Sequence, residues 1–534
     1  KGWKIKYYKG LGTSTAKEFK EYFANKKFVT FKYNNETDDN AIDMVFNKNR
    51  SDDRKDWLGK YNPKETLNTN NESISLHDFT NKEMIHFSKY DCERSIPNAI
   101  DGLKTSTRKI IYAAFLRNLV NEIKVGQFGG YVSEKACYHH GEASLHKAII
   151  GLAQEYVGSN NVNPLLPLGQ FGTRLEGGND HASERYIFTA LNHITKYIFP
   201  KEDFPVLNYL DDDGTLVEPE FYVPIVPMVL INGGKGIGTG FSYEGQSYNM
   251  EYIINYLKQK LNNETITAKI DVPYYEGFTG DVFELPDKKF LIRGKYNIVK
   301  DDTIQITELP IGTWTTSYKT YLEYLMDDKD RKGKKKKPLI KSINDMCTDA
   351  VIDFTVKFHK GVLGKLISKN IEYGCNKLEK ELKLYTTKST SNMNLFNNKQ
   401  QLVRYNNVET IIEDYYKVRI ETYHKRKQYQ MESLEKIVKV LSNKAKFIKE
   451  QCDDVIDLRK KKKEQVIQLL KSRNYDVLDN DEEYKYLRSM TIDNLEEENM
   501  LKLLEECKLL KQQYININKK TIEMMWLEDL TNLE

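Results

Sequence analysis

The 534-residue sequence has no marked excess of charge of either sign. Its 81 Lys and Arg residues are balanced by 77 Asp and Glu residues, which leaves a formal net charge of +4. A surface for nucleic acid must therefore come from local clusters of cations, because the overall balance does not supply one. A chain of this length is too long for one hydrophobic core, so we expect several domains.

Cysteine pairs and long apolar runs are also lacking. The six cysteines lie far apart with no Cys-x-x-Cys spacing, which argues against a zinc module and a secreted disulfide framework and favours a reducing compartment. No stretch is apolar for long enough to cross a bilayer, and the N-terminus has neither a signal-peptide run nor an initiator methionine. The chain opens with a strand-like alternation at 3–8, so we expect the later part of a larger protein.

The first half of the chain shows a polar stretch followed by helix-sized segments. Residues 34–81 have the composition of a loop or domain linker, with a boundary near 75–85. Beyond it, 105–119, 123–137 and 141–156 are helix-sized and joined by short turns. Their sizes allow a helix-turn-helix or winged-helix unit.

The second half divides into a β-rich part and a helical part. Between 218 and 308 the segments are short, rich in Val, Ile, Tyr and Thr, and broken by glycines, which predicts a mainly β region. Apolar residues then recur at helical spacing in 434–448 and in 503–517. The turn-rich stretch 473–493 leaves room for a reversal, so an antiparallel pair of long helices is the simplest arrangement.

Cations cluster around one predicted helix start. Arg94, Lys104, Arg108 and Lys109 lie within sixteen positions, and backbone N–H groups at a helix start also favour phosphate. Charge pattern alone leaves a solvated helix end equally open. The run at 331–337 has the same ambiguity, because most such runs are solvated loops or nuclear-import signals and only some contact phosphate.

A glycine-rich segment at 233–240 invites comparison with nucleotide-binding loops. It follows a strand-like stretch at 227–231, yet it fits neither G-x-x-x-x-G-K-[ST] nor G-x-G-x-x-G opening a helix. Residues 241–245 continue as a loop. No βαβ pattern surrounds the segment, which argues against a dinucleotide-binding enzyme.

Four motifs follow one another along the chain: Arg-Ser-Ile-Pro-Asn-Ala-Ile-Asp-Gly-Leu-Lys at 94–104, Tyr-His-His-Gly-Glu at 138–142, Gly-Gln-Phe-Gly-Thr-Arg at 169–174 and Ala-Ser-Glu-Arg-Tyr-Ile-Phe-Thr at 182–189. Together they resemble eukaryotic-type topoisomerase II, a type IIA topoisomerase. Residues 8–13 resemble the last part of the family's TOPRIM domain, and 425–427 and 441–445 resemble its exit-gate helices.

The resemblance implies a multidomain α+β fold with four regions. It gives the C-terminal part of a TOPRIM domain with a linker at 1–75 and a winged-helix DNA-binding domain with the catalytic tyrosine at 76–245. A β-rich tower domain follows at 246–374, and a long antiparallel coiled-coil exit gate, which mediates dimerisation, at 375–534.

The resemblance also assigns the chemistry. A phenol is a weak nucleophile at neutral pH, so a tyrosine that attacks phosphorus needs neighbouring cations. By similarity Tyr186 is the nucleophile that forms a 5′-phosphotyrosyl link, and Arg185 stabilises the scissile phosphate. His140 contributes to the active site or its phosphate contacts, whereas His139 is structural.

The remaining DNA contacts follow from the same match. Arg94, Lys104 and Arg108 hold the DNA backbone near the cut, and Lys9 joins the DNA-binding residues. Ile237 resembles the isoleucine that wedges between base pairs and kinks the duplex. Its alternative is a buried turn residue.

Two departures from the family pattern stand out. Residues 104–109 read Lys-Thr-Ser-Thr-Arg-Lys where the family has Lys-Pro-Gly-Gln-Arg-Lys, so the backbone there differs while the cations remain. The family's acidic TOPRIM motifs, Glu-Gly-Asp-Ser and Asp-x-Asp-x-Asp, do not occur. We therefore expect no metal ligands in this chain, with the Mg²⁺ ligands and the ATP site upstream, and poor cleavage by the chain alone.

The function implied is a topoisomerase II core that breaks both strands of a duplex, passes a second duplex and rejoins the break, in an ATP-dependent parent enzyme. The alternative is a non-enzymatic DNA-binding clamp or scaffold. The implied partners are double-stranded DNA and a second copy of the chain, without a membrane. The expected location is intracellular at sites of DNA replication, in the nucleus or a viral replication compartment.

Overall fold

The structure is a computed structural model of the chain. It describes all residues except 1–5, 7, 9, 10, 69, 330–333, 336, 459, 479, 480 and 491–496. The predicted strand at 3–8 therefore lies largely outside the described residues. The segment that follows forms helix α1, Ala16–Ala24, where the Thr15 side chain and Glu18 form a capping box.

The polar stretch predicted as a linker is instead folded. It contains α2 (Asn35–Phe46) and α3 (Ser51–Gly59), and strand β1 (Thr30–Lys32) pairs in parallel with β2 (Ser73–Ser75). The loop prediction was wrong because a few apolar side chains are enough to anchor both helices. These are Met44, Val45, Trp57 and Leu58, which join the first hydrophobic core.

A single helical rod then crosses into the predicted DNA-binding region. It consists of α4 (Leu76–Phe79), a π-helical turn (Thr80–Met84) and α5 (Ile85–Ser95). The side chain of Ser75 accepts a hydrogen bond from the Asp78 amide at its start. The rod ends ahead of Pro97, since a proline disfavours helical backbone in the residue before it.

The three helices predicted after residue 100 are all present. They are α6 (Thr105–Leu116), α7 (Val125–Lys135) and α8 (Glu142–Ala153). A short strand β3 (Ile123–Lys124) pairs antiparallel with β4 (Phe188–Thr189) and brings residue 186 next to the start of α7. The elements that follow are α9 (His193–Ile198), β5 (Tyr209–Asp212) and β6 (Thr215–Pro219).

Two predictions around the glycine-rich segment were wrong. The strand-like stretch at 227–231 is helix α10 (Met228–Ile231), whose residues are all buried, so periodicity could not separate helix from strand. The supposed loop is a hairpin of β7 (Gly234–Gly238) and β8 (Phe241–Gly245). Glycines weaken strand propensity, but here the close approach of the hairpin to α5 requires them.

The β-rich region contains two sheets and several helices. One sheet has the strand order β15-β10-β9, and the other has the order β11-β12-β14-β13. The elements are α11 (Met250–Leu261), β9 (Asp281–Leu285), β10 (Lys289–Arg293), β11 (Lys295–Lys300), β12 (Thr303–Glu308), α12 (Thr315–Met326), β13 (Ile340–Asp345), β14 (Phe354–Phe358), α13 (Val362–Ile367), α14 (Lys377–Glu381) and β15 (Tyr385–Ser389).

Two long helices dominate the last part of the chain, as predicted. After the hairpin of β16 (Asn394–Phe396) and β17 (Leu402–Arg404), α15 runs over Val408–Cys452 and later packs against α18, Glu497–Lys519. The helices are antiparallel, because Lys427 Nζ donates to Asn518 O at 3.0 Å while Cys507 Sγ contacts Val438 O at 3.8 Å. The short helices α16 (Lys463–Ser472) and α17 (Lys485–Arg488) lie between them, and α19 (Ile522–Leu533) ends the chain.

The described residues form three hydrophobic cores. The first contains α5–α8, the glycine hairpin, the base of α15 and α19. The second lies between the four-stranded sheet and α12–α14, and the third lies at the far end of α15 around Phe447 and Leu470. The predicted exit-gate region 375–534 therefore contributes to all three cores. None of the described helices combines the length and apolar character needed to cross a bilayer.

Candidate functional site

Tyr186 lies on a turn that is anchored from both sides. Its amide donates to Ser183 O at 2.9 Å, and the next residue, Ile187, is buried and accepts from the Val125 amide at 3.0 Å. The Tyr186 side chain itself is 70% exposed. The backbone around this phenol is thus fixed by the start of α7, while the hydroxyl is open to a large substrate.

Arg185 is the immediate cationic neighbour of this phenol. Its guanidinium carbon lies 5.4 Å from the centre of the Tyr186 ring, and both side chains are exposed. A guanidinium at this distance is attracted to the ring and can also bind a phosphate with two parallel hydrogen bonds. The pair therefore presents an exposed phenol and an exposed guanidinium on one surface.

His140 belongs to a second cluster, formed with aromatic residues. Its Nε2 lies 2.6 Å from the Tyr90 hydroxyl, and its ring meets the Tyr138 ring edge-on at 5.4 Å. Burial, and then the positive charge of Arg94, lower the pKa of His140 below its ordinary value. His140 is thus held in its neutral form more strongly than a free histidine.

Arg94 is exposed at the end of α5, beside this cluster. Its positive charge opposes the rise that burial causes in the pKa of the Tyr138 hydroxyl. A cavity of about 290 Å³ opens next to it, and its lining includes Arg94, His140 and Phe396. Among the described residues, no hydrogen bond or ring contact joins this cluster to Tyr186.

Lys104 connects the start of α6 to the glycine hairpin. Its Nζ donates to Lys235 O at 2.8 Å, and burial lowers its pKa. Two of the threonines that depart from the family pattern form hydrogen bonds here. Thr107 Oγ1 accepts from the Lys104 amide at 2.9 Å, and Thr105 Oγ1 donates to Glu93 O at 3.1 Å.

Ile237 lies on the outer side of the hairpin and is 69% exposed. The alternative of a buried turn residue is therefore wrong. Gly236 and Gly238, on either side of it, face α5 so closely that a Cβ would lie 2.3 Å from Ser95 O and 3.1 Å from Cys92 Cα, respectively. The apolar side chain of Ile237 is thus exposed to solvent, while the opposite face of the hairpin packs against α5.

Both parts of the chain match known families. Residues 94–531 match the family of DNA gyrase and topoisomerase IV A subunits, and residues 1–92 match the C-terminal associated domain of TOPRIM. The chain belongs to this topoisomerase family.

Its relatives include eukaryotic enzymes. It is 39% identical over 568 residues to DNA topoisomerase 2 of Plasmodium falciparum. This alignment covers the whole chain and 40% of the relative. It is 41% identical over 490 residues to human DNA topoisomerase 2-alpha, which covers 89% of the chain and 31% of the relative. The chain thus spans about 40% of the length of the Plasmodium relative and less of the human one.

A solved structure matches the fold throughout. It is the crystal structure of the Plasmodium falciparum topoisomerase II DNA-binding, cleavage and re-ligation domain. The match has a TM-score of 0.84 and 39% identity, and it covers all of this chain and 74% of the other. The chain is therefore homologous to the DNA-binding and cleavage core of topoisomerase II, and its fold mixes helices and sheets as expected.

Arg108 is not exposed for the contact with the DNA backbone that the sequence predicted. Its side chain is buried and holds Asp101 with two hydrogen bonds, of 2.7 and 3.1 Å, and it also donates to Leu103 O. The positive charge is thus neutralised inside the protein. We correct the prediction of a DNA-backbone contact: Arg108 fixes the loop that leads into α6.

Asp101 and Asp91 were missed in the sequence. Asp101 is fully buried, binds Arg108 and also accepts from the Tyr222 amide at 3.0 Å. Asp91 accepts two hydrogen bonds from Thr239 on the hairpin. Asp101 precedes a glycine and could be read as a turn residue, but nothing in the sequence signals the long-range partner of either aspartate.

Other predicted residues lie at the margin of the site or beyond the described chain. His139 Nε2 contacts Asp212 at 2.8 Å, which fits the structural role expected for it. Lys9 lies outside the described residues, as does much of the basic run at 331–337. Within the described chain there is no group of three His, Cys, Asp or Glu residues that could hold a metal ion.

Proposed function

We propose that this chain is the part of a type II DNA topoisomerase that breaks and rejoins duplex DNA, with Tyr186 as the nucleophile. The observation that carries the proposal is an exposed tyrosine on an anchored turn beside an exposed arginine, within a family match that covers the site. An accessible phenol on a fixed backbone can be held in line with a phosphodiester.

The reaction is a reversible transesterification. The Tyr186 oxygen bonds to phosphorus and loses its proton, and the bond from phosphorus to the 3′ oxygen breaks, so the strand end leaves as a 3′ hydroxyl. Arg185 stabilises the charge that builds on the phosphate oxygens. Rejoining is the reverse attack by that hydroxyl, which frees Tyr186.

Arg94 and Lys104 are the cations that we assign to the DNA backbone. Both stand at or near the start of α6, and Arg94 is exposed. Contacts of this kind carry no base information, so binding should be nearly sequence-neutral and strongly salt-dependent. We propose that Ile237 wedges into the duplex and bends it, since it is an exposed apolar side chain on a rigid support.

We further propose that the chain acts as a homodimer. A cut in both strands needs two copies of Tyr186, and α18 leaves an apolar groove open beside α15. Leu504 and Ile515 lie on the same side of α18, and both are exposed in this groove. Sedimentation should show a dimer at micromolar concentration, and placing Glu at both positions should shift it to monomer.

The divalent metal and ATP belong to the proposal for the longer protein. No set of three potential ligands occurs in the described residues, so we derive no step through a metal here. By resemblance, Mg²⁺ would be held by acidic TOPRIM motifs ahead of this chain, and ATP by a region further upstream. Action at sites of DNA replication, in the nucleus or a viral replication compartment, likewise remains a prediction.

The decisive experiment traps the covalent intermediate. A longer protein that carries the acidic TOPRIM motifs ahead of this chain is mixed with Mg²⁺ and duplex labelled at the 5′ or the 3′ ends, then stopped with detergent. We expect labelled DNA to remain on the protein through new 5′ ends only. Tyr186→Phe should abolish the adduct and leave DNA binding intact.

The matched control is Tyr197→Phe, which removes the hydroxyl of another exposed tyrosine, on α9. It should leave the adduct unchanged. An adduct that survives Tyr186→Phe would disprove the assignment of the nucleophile. Tight binding without any adduct in the unaltered protein would favour the DNA clamp instead of the enzyme.

A further inference from the structure

The hairpin that carries Ile237 is seated directly on helix α5. At Gly236 a Cβ would lie 2.3 Å from Ser95 O, which leaves no room for it, and at Gly238 a Cβ would lie 3.1 Å from Cys92 Cα, which is a tight contact. Cys92 is fully buried at this contact, and its Sγ lies 3.7 Å from Thr239 O. Because the backbone of the hairpin packs directly against the backbone of α5 and the buried Cys92 side chain, little movement can be absorbed between the two elements.

Asp91 fastens the hairpin to the helix. Its Oδ2 accepts from the Thr239 amide at 2.7 Å and from the Thr239 hydroxyl at 2.6 Å. Hydrogen bonds to a carboxylate are stronger than those between neutral groups, and two of them on one residue fix its orientation. Thr239 is two residues from Ile237, so this clamp lies at the tip of the hairpin.

The same stretch of α5 faces the His140 cluster. Tyr90, the neighbour of Asp91, bonds to His140 at 2.6 Å, and Arg94, one turn further along, lines the same cavity as Tyr138 and His140. Asp91, which holds the hairpin, therefore lies on the same stretch of α5 as Tyr90 and Arg94, which face the His140 cluster. A shift of α5 by a fraction of an ångström at Asp91 must also shift Tyr90 and Arg94.

We propose that Asp91 is a positioning residue that makes the geometry at His140 depend on where DNA places Ile237. The inference rests on the proposed function, in which Ile237 inserts into a bent duplex. Insertion presses on the hairpin, and the Asp91–Thr239 clamp transmits that displacement to α5. The Tyr90–His140 contact and the position of Arg94 then differ between straight and bent DNA.

The test follows Tyr90 directly in the full chain. Fluorotyrosine is placed at position 90, and its ¹⁹F resonance is recorded with and without a duplex nicked at the bend point, which kinks at low cost in every variant. Energy transfer between dyes on the two arms reports the bend in the same samples. We expect a DNA-dependent shift in the unaltered chain, and loss of most of that shift in Asp91→Ala, which removes both hydrogen bonds to Thr239.

Three variants serve as controls. Thr239→Ser keeps both donors and should retain the shift, whereas Thr239→Val keeps only the amide donor and should reduce it. Thr239→Val also covers the case in which Asp91→Ala fails to fold. Glu93→Ala removes a carboxylate from the same helix that pairs with Lys89 instead of the hairpin, and it should retain the shift.

The outcomes separate this inference from the proposed function. If the unaltered chain neither binds nor bends the duplex, the proposed function fails. If it bends the duplex but the Tyr90 resonance does not respond, the inference is wrong. The inference is equally wrong if Asp91→Ala and Thr239→Val respond to the duplex as the unaltered chain does.

Discussion

Two arginines, Arg185 and Arg419, show how differently the same side chain is used in this molecule. Arg185 is exposed and lies next to the exposed ring of Tyr186. Arg419, on α15, is fully buried, bonds to Asp203 at 2.5 Å and lies 3.9 Å from the centre of the Tyr423 ring. The first is exposed to solvent, and the second holds the long helix onto the first core.

Burial, and not residue type, decides what each of these cations does. A buried charge must be paired within the protein, and removing one partner leaves the other uncompensated. An exposed cation contributes little to stability and remains available for a ligand. Arg108, paired with buried Asp101, belongs with Arg419, although the sequence grouped it with Arg94.

The largest effect is expected from Arg419→Ala. It leaves Asp203 buried without its main partner, so the free energy of unfolding should fall by about 3–5 kcal/mol. Urea unfolding of the chain measures the change. Arg185→Ala is the matched control and should leave the midpoint of urea unfolding unchanged. Equal losses of stability in the two variants would contradict the distinction between the buried and the exposed arginine.

Arg108→Ala and Arg94→Ala should separate stability from DNA binding. The first removes the partner of buried Asp101 and should lower stability by up to about 3–5 kcal/mol. The second should leave stability unchanged but reduce the slope of log affinity against log salt by about 1. If Arg108→Ala kept full stability and reduced the slope of log affinity against log salt, Arg108 would contact DNA after all.

Ile237→Ala should change the shape of bound DNA more than its affinity. Phosphate contacts carry most of the binding, so the affinity should change by less than about tenfold. The bend measured by energy transfer should decrease, because the wedge that repays unstacking is gone. An unchanged bend would show that Ile237 is not the wedge.

The smallest effect concerns pH and His140. Its pKa is lowered in the folded chain, so the unfolded chain binds the proton more readily. The contribution of neutral His140 to folding stability is therefore complete above the ordinary pKa of 6.5. It is lost as the pH falls through the lowered pKa of the folded chain. Between pH 8 and pH 5, the Tm of the unaltered chain should fall more than that of His140→Gln; parallel curves would contradict this.

Elements with strong periodicity were predictable from the sequence. The three helices after residue 100 and the two long helices carry repeated apolar stripes, which local reasoning can detect. The assignment of Tyr186 rests instead on motif resemblance, and its role is still a prediction. The structure adds that its side chain is exposed on an anchored turn.

Features that depend on distant partners could not be predicted. The helices of residues 35–59 are held by Trp57 and a few other apolar side chains in an otherwise polar stretch. The glycine hairpin forms because α5 lies against it, and Arg108 is buried because Asp101 meets it there. Each depends on long-range packing, which neither composition nor local spacing encodes.

Helix α15 is so long that a small tilt at its base displaces its far end by several ångströms. It has 45 residues, or about 68 Å at 1.5 Å per residue, with its base in the first core and its far end in the third. At that length, a tilt of about 5° at the base displaces the tip by about 6 Å. Small adjustments in packing around Arg419 are thus converted into movements at the far end larger than the width of a side chain.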